Sequence, residues 1–537
     1  MIKIDKLKLS LEESEEILLG KIRKLLNDDS ITTYRIIKKS LDARRREDPF
    51  FLYQVVVDIT LSEKALKKLE KKGVSLYEEV EEVITFGQEV LENPPLVIGF
   101  GPAGLFCAYE LAKYGYQPIV LEQGECITKR VESVEKFWQE GKLNLYSNVQ
   151  FGEGGAGTFS DGKLTSRSKS PFNRLVLETF VNHMAPPEIL YEKKPHIGTD
   201  LLRPIITSMR QKIEENGGWV NFEHRVVDFI VENNQIIGVK LDNGKAFYSE
   251  VIILAVGHSA RDLFRQLQTY QVALENKPFA VGFRIEHPQD FINKHQYRDY
   301  ANSPYLTAAD YQLTYHDNKS NRGVYTFCMC PGGEVVLASS EEGRLCVNGM
   351  SYHSRDKVNA NSAILVSVDE RDYGCEPLAG LKFQEMLEEK AFLLTGENNV
   401  APVQTLADFC NQKITTKLGQ VSPSVVNYKL SNLSSLLPAH LYRQLKEALG
   451  EFDKKFSDFA MEDAILTGIE TRSSSPLKIL RDSSNLRSIS HPNLYPIGEG
   501  AGYAGGIVSS AIDGIKVSRK IMEQYTRLRN SDRGGIV

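Results

Sequence analysis

A glycine-rich turn between an apolar strand and a helix is the feature that most constrains how this chain folds. It lies in residues 95–124, "PLVIGFGPAGLFCAYELAKYGYQPIVLEQG", and has the spacing GxGxxG. Apolar residues precede the turn at 96–98 and recur at helical spacing over 103–113. A second apolar strand at 118–121 ends in an acid, Glu122. The order strand, turn, helix, strand predicts a βαβ unit with two parallel strands.

The three glycines of this turn have separate mechanical roles. Gly99 permits the tight turn, Gly101 lets the backbone approach a pyrophosphate, and Gly104 allows the helix to pack closely on the strand. The helix N-terminus presents free N–H groups and a positive dipole end to phosphate. Glu122, 23 residues after Gly99, can accept hydrogen bonds from ribose hydroxyls and would repel a 2′-phosphate. The predicted nucleotide contacts of this unit are Gly99, Gly101, Pro102, Ala103, Gly104, Glu122 and Gln123.

A second glycine-rich segment, "GEGGAGTFSDGKL" at 152–164, contains five glycines. Backbone with so few side chains can lie against a flat or phosphorylated ligand. The alternative is a mobile surface loop, although the embedded Phe159 and Leu164 argue against complete solvation. The predicted ligand contacts of this segment are Gly155, Gly157, Thr158, Ser160, Gly162 and Lys163.

The stretch "NLYPIGEGAGYAGGIVSSAIDGI" at 493–515 repeats the order strand, glycine turn, helix. Its apolar run at 494–497 predicts a strand, and Ile507, Ala511 and Ile515 have helical spacing. We therefore expect the chain to return here to the nucleotide site that begins near its first glycine turn.

Composition narrows the class of protein. The chain has 537 residues, 42% hydrophobic and 25% charged, as in ordinary globular proteins. A formal net charge of −5 gives no general attraction to nucleic acid, so no DNA partner is expected. No apolar run approaches the ~20 residues that span a bilayer, and the N-terminus lacks a signal-peptide core. Seven cysteines without a CxxC pair favour a reducing cytoplasm, and no metal site is predicted.

We predict an α/β fold: a Rossmann-like domain interrupted by a β-rich α+β substrate domain, plus a small N-terminal α/β domain. The small domain would occupy residues 1–93, with a helix near 11–26, two strands after it and a helix near 63–72. The nucleotide domain would begin at 94–276 and return at 476–528, while 277–475 would form the substrate domain, with helices near 380–395 and 438–449. Residues 527–537 read as a frayed tail.

At this point the motifs resemble known flavoproteins. "VIGFGPAGL", "IILAVGHSARD" and "NLYPIGEGAGYAGG" resemble the three FAD signatures of glutathione-reductase-type flavoproteins. More closely, the chain resembles the bacterial family of predicted FAD-dependent, or NAD-utilising, dehydrogenases over nearly its whole length. The segments that carry this resemblance are "SNVQFGEGGAGTFSDGKL", "FAVGFRIEHPQ", "CMCPGGEVV", "ETRSSSP" and "GEGAGYAGGI". The family has no established substrate, so the resemblance implies the fold and non-covalent FAD rather than a reaction.

The resemblance also implies roles for single residues. Arg130 would lie near phosphate, Val226 or Val227 would meet the adenine, and Gly257 would let the chain pass the cofactor. Glu499 stands where relatives carry an Asp on the flavin's ribityl chain, and the helix starting at 505–507 would point at the flavin's pyrimidine edge. The further implied contacts are Arg130, Val226, Val227, Gly257, Gly498, Glu499, Gly500, Gly505, Gly506 and Ile507.

Three residues are candidates for catalysis. Arg472 precedes the return of the chain to the nucleotide domain and would bind a substrate anion. Its alternative role is a domain-bridging salt link to Glu470 or Asp482. In "FRIEHP", Arg284 would bind an anion and His287 would act as a general acid, unless both are satisfied structural side chains.

Cys328 and Cys330 are placed on one face of a predicted strand. They are interpreted either as a buried thiol pair or as a redox pair, because a disulfide between residues i and i+2 is strained.

Three functions remain open at this stage. The first is an FAD-dependent dehydrogenase or reductase for an organic substrate, with NAD(P) as a transient electron donor or acceptor, since only one dinucleotide-binding βαβ unit is present. The second is a flavoprotein oxidase or monooxygenase. The third is an FAD-stabilised protein that binds RNA or a protein partner through Arg44, Arg45 and Arg46, which alternatively form a solvated turn. Oligomeric state stays open.

Overall fold

A computed structural model of the protein describes residues 1–44, 47–79, 82–166, 168–233, 235–396 and 398–527. Two predictions fall partly or wholly on other residues. Arg45 and Arg46 of the basic cluster lie outside the described residues, as does the predicted frayed tail apart from Arg527.

The N-terminal residues form a four-stranded antiparallel sheet in the order β2-β3-β1-β4, flanked by two helices. The predicted helices and strands are confirmed, except that the first helix begins at Ile17 rather than near residue 11, and β1 was not predicted. Its apolar residues at positions 2, 4, 7 and 9 are buried, and a bulge between Ile4 and Leu7 keeps them on one face. The elements are β1 (Ile2–Ser10), α1 (Ile17–Leu26), β2 (Arg35–Asp42), β3 (Phe50–Val57), α2 (Glu63–Glu70) and β4 (Val74–Leu76).

A five-stranded sheet follows, with all strands parallel and in the order β23-β11-β5-β6-β7. The predicted βαβ unit is confirmed by the pairing of its two strands around the intervening helix. The elements of this part are β5 (Leu96–Ile98), α3 (Pro102–Lys113), β6 (Ile119–Leu121), α4 (Ile127–Glu140), α5 (Phe172–Asn182), α6 (Thr199–Glu215), β7 (Trp219–Asn221), β8 (Val226–Glu232), β9 (Gln235–Leu241), β10 (Ala246–Tyr248), β11 (Ile252–Leu254) and α7 (Arg261–Thr269).

The middle of the chain builds a seven-stranded sheet in the order β14-β15-β18-β13-β21-β19-β20, antiparallel except for its last pair. Both helices predicted here are confirmed as α10 and α12. The elements are β12 (Leu274–Asn276), β13 (Phe279–Pro288), α8 (Gln289–Tyr297), β14 (Thr314–Asp317), β15 (Arg322–Cys330), β16 (Glu334–Leu337), β17 (Val347–Met350), β18 (Asn359–Val368), α9 (Glu370–Tyr373), α10 (Ala379–Leu394), β19 (Ala401–Thr405), α11 (Leu406–Cys410), β20 (Tyr428–Leu430), α12 (Ala439–Lys455) and β21 (Ile465–Glu470).

The chain then returns to the parallel sheet. Its last elements are β22 (Leu477–Ile479), β23 (Leu494–Pro496) and α13 (Ile507–Gln524). Helix α13 packs so tightly on α3 that a Cβ at Gly514 would lie 2.2 Å from the Ala103 carbonyl oxygen. The predicted fold class is confirmed, while the predicted domain boundaries stay predictions. Across the part of the chain described, none of the helices is long and apolar enough to cross a membrane.

Candidate functional site

One large cavity connects the parallel sheet, the seven-stranded sheet and the N-terminal sheet. Its volume is about 2710 Å³. Pockets for drug-sized ligands measure about 300–1,000 Å³, so this cavity has room for a large cofactor and a substrate together. Residues from all three glycine-rich segments line it.

The first wall is built where two glycine-rich segments meet. Gly99 has φ +96°, a left-handed conformation that suits glycine, and the turn leads into α3, whose N-terminus lies at the cavity. A Cβ at Gly155 would lie only 2.8 Å from the Gly101 Cα. Bare backbone on both sides therefore lets the loop lie directly against the turn, beside the free N–H groups of the helix.

Glu122 ties these segments together. One carboxylate oxygen accepts from the Phe100 N–H at 2.8 Å, and the other accepts from Gly124 at 3.0 Å and Gly152 at 2.9 Å. The side chain also lines the cavity. Because a carboxylate offers about four acceptor positions, capacity remains for a ribose hydroxyl.

Arg130 lies behind the loop rather than at the cavity, which corrects its predicted contact with phosphate. Its fully buried guanidinium donates to the carbonyl oxygens of Asn148 at 2.9 Å, Val149 at 3.1 Å, Glu153 at 2.6 Å and Gly155 at 3.0 Å. Burial lowers the pKa of Arg130 to about 9. The side chain thus shapes the loop and acts on a ligand only through it.

The C-terminal turn is held from behind by Asp513. That carboxylate accepts from the Gly498 N–H at 2.8 Å and pairs with the Arg481 guanidinium at 2.6 Å. Glu499, the next residue, lines the cavity; its backbone carbonyl accepts from the Gly502 N–H at 2.9 Å, but its carboxylate has no hydrogen-bond partner among the described residues. Burial raises the pKa of Glu499 to about 7, although the positive charge of Lys277 opposes the shift. The carboxyl is therefore available to a ligand.

Three glycines leave the cavity open where other residues would fill it. A Cβ at Gly257, Gly505 or Gly506 would have nothing within 4 Å. All three line the cavity wall, and Gly505 and Gly506 directly precede α13. The cavity wall combines bare backbone, the N-termini of α3 and α13, and the carboxylates of Glu122 and Glu499. These features fit FAD, which is long and has a flat ring at one end.

The predicted ligand contacts divide into two groups. The wall contains Gly99, Gly101, Pro102, Ala103, Glu122, Gly155, Gly157, Ser160, Gly162, Lys163, Gly257, Gly498, Glu499, Gly505, Gly506 and Ile507. The seven others do not line it: Gly104, Gln123, Arg130, Thr158, Val226, Val227 and Gly500. Of these, Gly104 and Gly500 allow close packing, because a Cβ would lie 2.1 Å from the Gly99 carbonyl oxygen or 2.3 Å from that of Gly257.

Arg472 lies at the cavity wall, but protein acceptors occupy its fork. Glu388 binds it at 2.9 and 2.8 Å, and Ser259 and Ser340 accept from it at 3.1 and 2.5 Å. A further ion pair joins it to Glu341 at 3.3 Å. This arrangement matches the salt-link alternative, with partners other than the two acids that the sequence suggested.

Arg284 and His287 are buried in β13 of the seven-stranded sheet and do not line the cavity, which corrects their predicted contact with substrate. Arg284 is fully buried and pairs with Glu470 at 3.2 Å. His287 is also fully buried, and its Nε2 lies 2.7 Å from the Phe459 carbonyl oxygen. Burial lowers the pKa of His287 to about 4. β13 is a central strand, paired with β18 on one side and β21 on the other, and every one of its residues except Pro288 is buried.

Comparisons with known proteins show what the chain is similar to. The family model described as "FAD-dependent protein, C-terminal domain-like" matches residues 278–473, and a domain of unknown function, DUF8436, matches residues 1–58. A protein of Clostridium beijerinckii, described as uncharacterized, is 48% identical over 530 residues, which cover 98% of this chain and 99% of the relative. The chain belongs to the family of this clostridial protein.

Solved structures that resemble this family member are distant. The halogenase PltM L111Y mutant in complex with FAD has a TM-score of 0.39 at 11% identity, covering 80% of this chain and 69% of its own. Glycine oxidase from Bacillus cereus has a TM-score of 0.33 at 11% identity, covering 81% and 99%. Amadoriase I from Aspergillus fumigatus has a TM-score of 0.32 at 12% identity, covering 83% and 88%.

The cavity of this protein also contains residues that the sequence analysis did not identify. His258 and Lys277 line the wall. Burial is the main cause that lowers the pKa of His258 to about 3, and the positive charges of Arg472 and Arg261 add to it. This imidazole is therefore neutral at neutral pH. Its position directly after the glycine of "AVGHSARD" was the available signal. Lys277 carried no local signal.

Proposed function

We propose that the protein is an FAD-dependent oxidoreductase, a dehydrogenase or reductase that moves a hydride between the flavin and an organic substrate. One observation carries the proposal: the N-termini of α3 and α13, each reached through a glycine-rich turn, lie at the same cavity. The match of residues 278–473 to an FAD-dependent protein domain supports it.

Each end of the cofactor has a counterpart in the wall. When bound, FAD supplies a two-electron centre at its N5 atom. The N-terminus of α3 would hold the pyrophosphate, and Glu122 would accept from the adenosine ribose. Glu499 would accept from the ribityl chain, and the N-terminus of α13 would stabilise negative charge at the pyrimidine edge.

Lysine side chains in the wall of the cavity support the proposal of an anionic substrate. Lys38 and Lys193 line it, and neither has a salt-bridge partner among the described residues. Lys277 lies in the wall near Glu499, and burial lowers its pKa. Unpaired cations in a concave site attract and orient carboxylates or phosphates.

Electrons reach or leave the flavin through a second partner. Only the GxGxxG turn at 99–104 lies in a complete strand, turn, helix, strand unit, so the sequence shows no second dinucleotide-binding domain for a nicotinamide nucleotide. We propose that NAD(P)H binds transiently in the same cavity and exchanges electrons with the flavin there. The alternative electron donor or acceptor is another soluble carrier.

The N-terminal sheet contributes residues to the wall of the cavity. The backbone of Lys39 in β2 donates to the Tyr191 carbonyl at 2.6 Å and accepts from Lys193 at 2.9 Å. Lys38, Lys39, Phe51 and Tyr53 face the cavity. These contacts favour a role in substrate access over one in RNA or protein docking. Removal of residues 1–93 tests this: loss of partner binding with flavin reduction intact would indicate docking.

The deciding experiment is reconstitution followed by anaerobic stopped-flow reduction. The purified protein should bind one FAD, and NADH, NADPH or a member of a panel of organic anions should reduce it. Failure to bind FAD, or binding without reduction by any of them, would contradict the proposal. Fast reoxidation of the reduced flavin by oxygen would instead indicate an oxidase or monooxygenase.

A further inference from the structure

Two cysteines lie where the seven-stranded sheet meets the cavity. Strand β15 ends with Cys328, Met329 and Cys330. Cys328 is partly exposed and lines the cavity, whereas Cys330 is buried directly behind it. The other members of this wall include Glu499, in the turn expected to meet the flavin.

A bulge sets the orientation of this pair. Phe327 pairs with Ala363, but Cys330 pairs with Asn361, so β15 carries one extra residue at this point. Cys328 itself has φ +42°, a left-handed conformation that is uncommon for a residue with a side chain. The Cys330 Sγ lies 3.3 Å from the Cys328 carbonyl oxygen, so the second thiol folds back toward the first.

Arg284 lies beneath both cysteines. Its Nη2 donates to the Cys328 carbonyl oxygen at 2.9 Å and lies 3.5 Å from the Cys330 Sγ. Its Nη1 lies 3.2 Å from Glu470, which also lines the cavity. On the other side, the Lys163 ammonium donates to the Met329 carbonyl oxygen. The side chains of Arg284 and Lys163 therefore bring two positive charges close to the dithiol.

We propose that Cys328 and Cys330 are a redox-active thiol pair that exchanges two electrons with the flavin. The inference rests on the proposed function, because it needs bound FAD as the electron partner. In the oxidising direction, the Cys328 thiolate and the Cys330 thiol lose two electrons and one proton, and an S–S bond forms. The oxidised flavin takes up the two electrons and that proton. The reverse step breaks the S–S bond and returns both sulfurs to their starting state.

The electrostatics of the chain's cysteines agree with this role. The Cys330 hydrogen bond, with Lys163 and Arg284, lowers the pKa of the Cys328 thiol. In contrast, burial raises the pKa of Cys346 to about 12. A thiol whose pKa is lowered at a partly exposed site is the reactive form for redox exchange. A disulfide between residues i and i+2 is strained, and strained disulfides are the labile, catalytic kind.

Electron counting tests the inference on the holoenzyme. The protein is oxidised with diamide, desalted, and titrated anaerobically with dithionite. The wild type should take up four electrons per flavin, two for FAD and two for the disulfide. Cys328→Ser and Cys330→Ser should take up two. Cys375→Ser, which removes an exposed thiol elsewhere, should behave as the wild type. Two electrons in the wild type with FAD bound would overturn the inference.

A measurement on the FAD-free protein separates this inference from the proposed function. Peptide mapping after diamide treatment should find Cys328 and Cys330 linked in one peptide. Iodoacetamide should alkylate Cys328 near neutral pH at least about tenfold faster than Cys346, because only thiolates react. Absence of the link and equal rates would overturn the inference, whether or not FAD binds. If the two cysteines form the disulfide but the protein never binds FAD, the proposed function is contradicted. The thiol pair then has no flavin as its electron partner, so the proposed exchange with flavin is overturned as well.

Discussion

Glu388 and Arg472 form a bidentate ion pair, with Nε–Oε1 at 2.9 Å and Nη2–Oε2 at 2.8 Å. The same carboxylate accepts a second fork from Arg261 at 2.9 and 2.8 Å. Arg261 belongs to α7 and Glu388 to α10, two helices more than 100 residues apart in the sequence. One fully buried carboxylate thus joins two arginines.

Substitution of Glu388 should destabilise the protein strongly. Although burial opposes ionisation, the two arginines hold the pKa of the Glu388 carboxyl below its ordinary value. Glu388→Gln leaves two buried guanidinium groups with one neutral partner. Removing one member of a buried ion pair costs about 3–5 kcal/mol, so the free energy of unfolding in urea should fall by about that amount. The control is Glu389→Gln at the neighbouring exposed position, which should change it by at most about 0.5 kcal/mol. Equal stabilities of the two variants would contradict this role.

A side chain at Gly505 should weaken flavin binding without unfolding the protein. A Cβ there would contact nothing within 4 Å and would project from the cavity wall. Gly505→Val should therefore retain the stability of the FAD-free protein within about 0.5 kcal/mol and raise the Kd for FAD by at least about tenfold. Fluorescence titration with FAD measures the effect.

Gly450→Val is the matched control for that experiment. Gly450 is exposed on α12, and a Cβ there also has nothing within 4 Å. This variant should bind FAD as the wild type does. Unchanged affinity in Gly505→Val would place the flavin elsewhere.

Local signals explain which parts of the fold can be predicted from the sequence. The βαβ unit around Gly99 and the turn into α13 each lie in one contiguous stretch, so their strand, turn and helix patterns are legible. Strand β1 escapes because its alternation slips by one residue between Ile4 and Leu7, and only the paired strand shows that a bulge absorbs the slip.

The site is less predictable because its side-chain partners are distant in sequence. Glu388 binds residues 84 and 127 positions away, and nothing near any of them indicates the pairing. Arg130 has the residue type expected at a phosphate, yet it binds carbonyls from the loop that follows α4. Residue type and spacing therefore predict the glycine cradle, whereas the roles of buried charges require the tertiary structure.

Protonation of His287 should contribute to acid denaturation. Burial lowers its folded-state pKa to about 4, against 6.5 in the unfolded chain. Between these values the unfolded chain binds more protons, so stability is present above about pH 6.5 and is lost as pH falls toward 4. The slope is about 1.4 kcal/mol per pH unit. His287→Gln can keep the hydrogen bond to Phe459 and should flatten the curve over this range.

The exposed His316 provides the control for this pH series. His316→Gln should reproduce the wild-type dependence of unfolding free energy on pH. The measurement is urea denaturation from pH 4 to 7. If His287→Gln and the wild type lose stability in parallel, His287 does not carry the linkage.

Glu499 should produce the opposite pH dependence in the FAD-free protein. Burial raises its folded-state pKa to about 7, against 4.5 unfolded, so between these values the folded state binds more protons. Its contribution to stability is present below about pH 4.5 and is lost as pH rises through 7. Because the cavity admits water, we expect about 1–3 kcal/mol in total. Glu499→Gln should match the wild type near pH 4 and exceed it at pH 8, whereas Glu232→Gln, at an exposed position, should not. Thermal unfolding across this range measures the difference, and parallel curves for Glu499→Gln and the wild type would show that the carboxyl is not held in its neutral form.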